Sequence, residues 1–383
     1  MELTVDKKLT KVCHITSVHI PFDTRIFYKE CAALVEAGYE VHLVAGRDGK
    51  DEVLNGIHIH GVPVRPGKIR RMLFTTWDVY RRSLRIKPDI FHFHDPEMIP
   101  MGLLLKLGGK KVICDVHEDY PDCMVVKEFI PRSLTKPVAR IIGFLETLTA
   151  GIFDAVITVT PKIRDRFKKL NRRTVEIRNF PLPEEFSEGP AQVPWSSRSD
   201  AVTYIGLLSP DRGVKEMIQA MGIVNRTRPA RLILGGKFPI PAQETQAKSL
   251  PEFKYVDFRG FLTRDRVAEV FREVKAGIVV THPLSNHRFA YMTKLFEYMA
   301  AGIPVIAADF PLWRTIVEGA GCGLLVEPLD PEALAQAITR LLVNPKAAEE
   351  MGKRGRKAVE EQYNWNTEKV RLLELYAELL KGL

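Results

Sequence analysis

The segment TKLFEYMAAGIPVIAADFP, residues 293–311, carries the densest chemical signal in the chain. Lys294 and Glu297 are three apart, so a helix places them on one face. Gly302 ends that helix and Pro304 opens a buried strand. A helix N-terminus carries about half a positive charge and free N–H groups, which suits an anion. Lys294 adds a full charge there. Glu297, one turn deeper, offers two oxygens to a pair of hydroxyls. A phosphate at the helix start and a ribose diol further along is a nucleotide geometry, and Thr293 and Tyr291 stand beside it as further substrate contacts. Taken alone, Lys294 and Glu297 read rather as a surface ion pair worth about 0.2–0.5 kcal/mol. The flanking pattern favours the nucleotide.

A second anion-binding loop is expected in IGLLSPDRGVKEM, residues 205–217. Gly206 follows a strand and permits close backbone approach. Arg212 or Lys215 could grip phosphate. By itself, a glycine-bearing loop with a basic residue is usually an ordinary turn.

Three further loops follow strands in the first half: His19–Arg25 (HIPFDTR), His92–Glu97 (HFHDPE) and Asp115–Pro121 (DVHEDYP). In a parallel sheet, strand-to-helix loops share one rim, where ligands bind. His92, His94, His117, Asp95, Asp115, Glu118 and Asp119 could be read as metal ligands. The chain has no HExxH and no cysteine cluster, so metal ranks below capping and substrate roles. His92 reads equally as a histidine on a core face.

The elements that must hold these residues alternate in type. Strands are predicted at Lys11–Val18, Glu40–Ala45, Ile57–Val62, Asp89–Phe93, Lys111–Val116 and Ala155–Val159. Helices are predicted at Thr24–Ala37, stopped by Gly38, and at Ile69–Ile86, Glu97–Leu107 and Thr135–Gly151. Residues 180–200 hold four prolines and read as a linker. Alternation then resumes, with strands at Ala201–Ile205, Arg231–Leu234, Phe253–Phe258, Ala276–Val280, Pro304–Ala307 and Gly323–Val326. Helices fall at Val214–Asn225, Arg264–Val274 and Thr293–Ala301, then at Pro331–Leu342 and Lys346–Leu380 with a break near Tyr363–Trp365. The fold class is α/β, two doubly wound domains in tandem.

A chain of 383 residues with 45% hydrophobic content has room for two such cores. Its 27% charged and 9% aromatic residues exclude disorder, a coiled coil and a collagen-like repeat. No apolar run reaches membrane-spanning length, and the opening MELTVDKKLTKV has no signal-peptide core. Cys13, Cys31, Cys114, Cys123 and Cys322 form no CxxC pair, so reduced thiols in a cytoplasmic protein are expected. The net charge of +9 favours anionic partners. The basic stretch 65–87 has two even readings: a solvated cationic face, or a helix lying on anionic lipid at the inner face of the membrane. Nucleic-acid binding rests on charge alone and is set aside.

Together these segments resemble the retaining, nucleotide-sugar-dependent glycosyltransferases of family four, with the GT-B fold. The resemblance runs from KVCHITSVHIPFDTRIFYKE to the terminal helix, and TKLFEYMAAGIPVIAAD is its most specific piece. HFHDPEMIPMG and DVHEDYP look like a bacterial and archaeal subgroup that builds surface polysaccharides. The resemblance implies two Rossmann-like domains facing a central cleft. The acceptor domain would be residues 1–185, the donor domain 186–363, and 364–383 a helix crossing back to the first domain. It implies transfer from a nucleoside diphosphate sugar to a glycan or lipid-linked acceptor, with no metal or other cofactor. His117 would hydrogen-bond the donor sugar, and Arg212 and Lys294 would neutralise the departing diphosphate. Glu297 would hold the ribose, with Gly206, Thr293, Tyr291, Arg25, Asp95 and Glu118 as substrate contacts. The sequence departs from the family at two places: Phe289 stands where the first of its paired glutamates belongs, and Leu207 where a phosphate-binding arginine belongs. A sugar-nucleotide epimerase of the same fold, and a nucleotide-sugar-binding module without turnover, are the alternatives.

Overall fold

The apolar runs of the first half assemble into one eight-stranded sheet. Its strands are β1 (Lys11–Ile15), β2 (Glu40–Gly46), β3 (Asp51–Leu54), β4 (Ile57–Val62), β5 (Ile90–Phe93), β6 (Lys111–Val116), β7 (Ala155–Thr158) and β8 (Thr174–Glu176). The order is β3-β4-β2-β1-β5-β6-β7-β8. Every pairing is parallel except β3 with β4. These strands, like all the geometry below, come from a computed structural model that describes residues 9–47, 49–125, 132–186 and 193–381. β1, β5, β6 and β7 are buried along nearly their whole length, as a sheet covered on both faces requires.

The second half forms a six-stranded, all-parallel sheet. It contains β9 (Ala201–Leu207), β10 (Arg231–Lys237), β11 (Val256–Gly260), β12 (Ala276–Val279), β13 (Val305–Ala308) and β14 (Gly323–Val326), in the order β11-β10-β9-β12-β13-β14. Two apolar clusters cover its faces, one around Trp313, Phe296 and Tyr298, the other around Met217, Met221 and Leu341.

The chain divides into two compact units, Met1–Asn179 with Asn366–Leu383, and Phe180–Trp365. The first crossing falls ahead of the sequence boundary at 185. Phe180 is already core of the second unit, its ring 4.6 Å from Phe296 and 5.5 Å from Tyr363. Residues 187–192 of the proline-rich linker, and the opening residues 1–8, lie outside the described residues. The terminal helix Trp365–Leu380 packs in the first unit. There Glu368 accepts from the Arg178 backbone N–H at 2.9 Å, and Lys369 pairs with Glu36 at 2.9 Å.

Several elements differ from the sequence reading. β1 stops at Ile15 rather than Val18, because Asp95 Oδ2 takes the Ser17 N–H at 2.7 Å and the Val18 N–H at 3.2 Å, turning the chain. The first helix begins at Ile26, in wide π-type turns through Cys31. Strands β3 and β8 and the helices Pro161–Lys168, Pro241–Lys248 and Pro311–Ala320 were not anticipated. Cys13, Cys31, Cys114 and Cys322 are free and buried, and the side chain of Cys123 lies outside the described set. Among the described residues no helix is long and apolar enough to cross a membrane.

Candidate functional site

In a doubly wound sheet, the strand order reverses at a switch point, and ligands bind outside the carboxyl ends of the strands there. In the second unit the reversal lies between β9 and β12. The loops that follow these two strands carry Arg212, His282 and His287.

Gly213 lets the two loops meet. Its φ is +74°, and a Cβ there would stand 2.1 Å from the Val280 carbonyl oxygen. Next to it, Arg212 Nη1 lies 3.5 Å from Met292 Sδ. Met292 is the residue that caps the helix Thr293–Ala300. That helix is pinned to the sheet by Leu295, Phe296, Tyr298 and Met299, all fully buried. The Tyr298 hydroxyl accepts from the Ile205 N–H at 3.3 Å and donates to the Thr203 carbonyl at 3.4 Å. Lys294, in the first turn, crosses the end of β9: its Cε would be 3.8 Å from a Cβ on Gly206. Arg212, Lys294, Gly206 and the start of this helix therefore converge, as the sequence reading expects.

Lys294 Nζ donates to Glu297 Oε2 at 2.6 Å, and Arg264 Nη1 lies 3.4 Å from Glu297 Oε1. Glu297 is 6% exposed, a carboxylate held at the edge of a cationic patch. Thr293 is half-buried at the helix start. Tyr291 is placed differently from the expectation: its ring packs on Phe180 at 5.7 Å and Phe296 at 6.1 Å. Phe289 and Leu207 are both exposed.

Two histidines of this site were not singled out from sequence. His287 Nε2 stands 3.3 Å from Asp211 Oδ2, and its Nδ1 bonds the His282 carbonyl at 3.1 Å. Burial, with Arg212 nearby, lowers its pKa. His282 Nε2 pairs with Glu216 Oε1 at 3.2 Å. The available signal was the one used elsewhere, polar residues directly after a buried strand.

In the first unit the reversal lies between β1 and β5. His14 pairs in register with His92, and His94 lies two residues on, so all three share a sheet face. Their rings form a connected set with the loop after β6. His14 Nδ1 is 2.9 Å from His94 Nε2, and His94 Nδ1 is 3.3 Å from His117 Nε2. The terminal helix closes the other end: Tyr376 Oη lies 2.8 Å from His92 Nδ1 and 3.3 Å from His14 Nε2. Burial lowers the pKa of His14, His92 and His94, so these rings are neutral at pH 7.

Arg25 does not face a ligand. It is 3% exposed, its guanidinium 3.1 Å from Asp115 Oδ2, 2.9 Å from Glu30 Oε1 and 3.0 Å from the Ile177 carbonyl. Burial alone would raise the Asp115 pKa, but Arg25 and the histidines hold it well below the carboxylate range. Glu30 goes the other way: burial and the adjacent Asp115 outweigh Arg25 and raise it well above its ordinary value. Asp95 is likewise occupied inside the protein, accepting from Thr16 Oγ1 at 2.7 Å and from the loop N–H groups that end β1. Of the expected residues in this unit, His117 is half-buried and Glu118 exposed on the rim. His117 Nε2 lies 3.1 Å from Asp115 Oδ2, and its ring is 5.1 Å from that of His19. The carboxylates of Asp23 and Asp95 outweigh the burial of His19 and raise its pKa.

Comparison with known proteins places this geometry. The family model described as glycosyl transferases group 1 matches residues 199–344, and that described as glycosyltransferase family 4 matches residues 24–180. A phosphatidyl-myo-inositol mannosyltransferase of Mycobacterium leprae is 23% identical over 75% of this chain and 73% of its own. A glycogen synthase of Mycobacterium tuberculosis is 23% identical over 91% of this chain and 89% of its own. Among solved structures, sucrose-phosphate synthase from Thermosynechococcus elongatus superposes with a TM-score of 0.78 at 18% identity, over 98% of this chain and 100% of its own. Anabaena HepE, in complex with UDP and glucose, superposes with a TM-score of 0.71 at 15% identity, over 98% of this chain and 100% of its own. With both halves matched by glycosyltransferase models and both sheets shared with GT-B structures, the chain belongs to the family-four glycosyltransferases.

Proposed function

We propose that this chain moves a sugar from a nucleoside diphosphate sugar to a glycan or lipid-linked acceptor, with retention at the anomeric carbon and without a metal cofactor. The observation that carries the reading is the meeting of Arg212, Lys294 and the start of the helix Thr293–Ala300, with Glu297 one turn on. Charge builds on the leaving diphosphate during transfer, and fixed cations and helix N–H groups aimed at it stabilise that charge without a divalent ion. Glu297 then holds the ribose. His117 is assigned the donor sugar, its ring kept in orientation by Asp115 Oδ2 at 3.1 Å. A uridine nucleotide is the first choice, because HepE is described in complex with UDP and with UDP-glucose.

A membrane-borne acceptor is supported by the helical stretch after β4. Ile69, Met72, Leu73, Phe74 and Trp77 are exposed there beside Arg70 and Arg81. Apolar side chains next to cations suit an anionic bilayer surface. The name of the mannosyltransferase relative, which specifies a phosphatidyl-myo-inositol, fits the same reading. The reading is of a cytoplasmic enzyme peripheral to the membrane and engaged in polysaccharide synthesis.

The test is calorimetric titration of UDP into the wild type and Glu297→Ala, with a loss of roughly tenfold or more expected. Unchanged affinity rejects the site. Incubation with UDP-glucose and candidate acceptors, read by NMR of the new anomeric centre, then separates the outcomes. A retained configuration supports the proposal and an inverted one rejects it. An isomerised donor points to an epimerase, and binding without turnover to a module lacking the chemistry, which exposed Phe289 and Leu207 would explain.

A further inference from the structure

In the first unit, three ligating atoms stand in a triangle at the ends of β5 and β6. His94 Nδ1 and His117 Nε2 are 3.3 Å apart, His117 Nε2 and Asp115 Oδ2 3.1 Å, and His94 Nδ1 and Asp115 Oδ2 3.5 Å. A tetrahedral zinc ion with bonds of about 2.0–2.1 Å keeps its ligand atoms about 3.3–3.4 Å apart. The three protein atoms already have that spacing, so an ion just above their plane reaches all of them without moving the backbone.

The surroundings meet the other requirements of a metal site. A ligating imidazole normally engages its second nitrogen with a partner that fixes the ring. His94 Nε2 does so with His14 Nδ1 at 2.9 Å, and His14 in turn reaches Tyr376 Oη at 3.3 Å. Asp115 is fixed by Arg25, whose Nη2 lies 3.3 Å from Oδ1 and 3.1 Å from Oδ2. His94 and Asp115 are buried, whereas His117 is half-buried and supplies the way in. Arg25 opposes a dication and weakens binding.

We propose that His94, Asp115 and His117 form an open, three-ligand binding site for a divalent transition-metal ion, Zn2+ foremost. Two imidazoles and one carboxylate favour Zn2+, Co2+, Ni2+ or Cu2+ over Mg2+, which prefers oxygen ligands in octahedral array. The ion is not a cofactor for transfer. By occupying His117 Nε2 it removes that ring from the donor sugar and inhibits; this consequence, unlike the binding itself, rests on the proposed transferase reading.

Titrating Co2+ into the full-length, metal-stripped protein tests the site by visible absorption. One Co2+ per chain should bind with the intense bands of a low-coordinate ion, displaced by Zn2+ and unaffected by Mg2+. His117→Asn and His94→Gln should each abolish the bands. Because His117 is half-buried, its variant should keep the wild-type circular dichroism and melting temperature, which separates loss of ligand from loss of fold. Absence of the bands, or their persistence in His117→Asn, overturns the proposal. If transfer is detectable, Zn2+ should inhibit it over the concentration range in which it displaces Co2+. Bands lost in both variants support the metal site even where no transfer is found. Transfer indifferent to saturating Zn2+ overturns the inhibitory role.

Discussion

Lys294 Nζ lies 2.6 Å from Glu297 Oε2, so the cation at the start of the helix Thr293–Ala300 is neutralised by the carboxylate one turn further on. A bound diphosphate must draw the lysine towards itself, and the carboxylate then turns to hydroxyls. The two groups are coupled, and their single substitutions should not add. Glu297→Ala should weaken UDP yet leave pyrophosphate binding equal or stronger, because Lys294 is released. Calorimetry with both ligands decides this, and a parallel loss for both would refute the division of labour.

Removing the charge at Lys294 should affect turnover more than donor binding. Lys294→Met is expected to lower kcat by roughly 10²–10³, the usual loss on deleting one group that stabilises developing negative charge, with a smaller change in the donor KM. Steady-state kinetics at saturating acceptor is the check.

Gly213 holds the β9 and β12 loops together at a backbone angle other residues avoid. Gly213→Ala should cost on the order of 1–3 kcal/mol from strain, before the clash with the Val280 carbonyl is counted. A melting temperature equal to that of the wild type would contradict this placement.

The Glu146 carboxyl provides a pH-dependent term. Burial, opposed by Arg166 at 3.0 Å, raises its pKa from 4.5 to about 7. The folded state therefore binds this proton more tightly than the unfolded chain. The resulting stabilisation is complete below pH 4.5 and is lost as pH rises through about 7. At 1.36 kcal/mol per pKa unit the swing is at most about 3 kcal/mol. Glu146→Gln should flatten the pH dependence of the urea midpoint across this window; an unchanged slope would remove Glu146 as its source.

Vesicle flotation should show binding to anionic but not neutral lipid, weakening as salt shortens the screening length below about 8 Å. Neutralising Arg70, Arg71, Arg81 and Arg82 together, or replacing Phe74 and Trp77 by Ser, should each reduce it. Salt-insensitive binding would argue against the cationic face.

How much was legible in the sequence varied with how local the cause was. Gly38 and Gly302 both take positive φ just past helix ends, where the sequence had placed stops. The helix expected at Thr293–Ala301 runs Thr293–Ala300, and the strand expected at Ile57–Val62 is found with those bounds. β3 was missed because it is a short, largely exposed edge strand, although Asn55-Gly56, with φ of +51° and +77°, is a hairpin signal. Arg25 was misread for a different reason: nothing nearby in the chain reveals that Asp115, 90 positions on, takes its charge. The three-histidine face was half visible in HFH, but His14, Glu30 and Tyr376 join it only through sheet order and the returning helix.

That returning helix also sets a sequence of events. Residues 180–365 leave the ribosome as one uninterrupted stretch, and the Trp365 N–H closes on the Pro181 carbonyl at 2.9 Å. The sheet translated first must wait for Tyr376, beyond that entire stretch, before His14 and His92 find their hydroxyl partner. The histidine face of the portion made first therefore lacks one of its walls until the end of the chain has been synthesised.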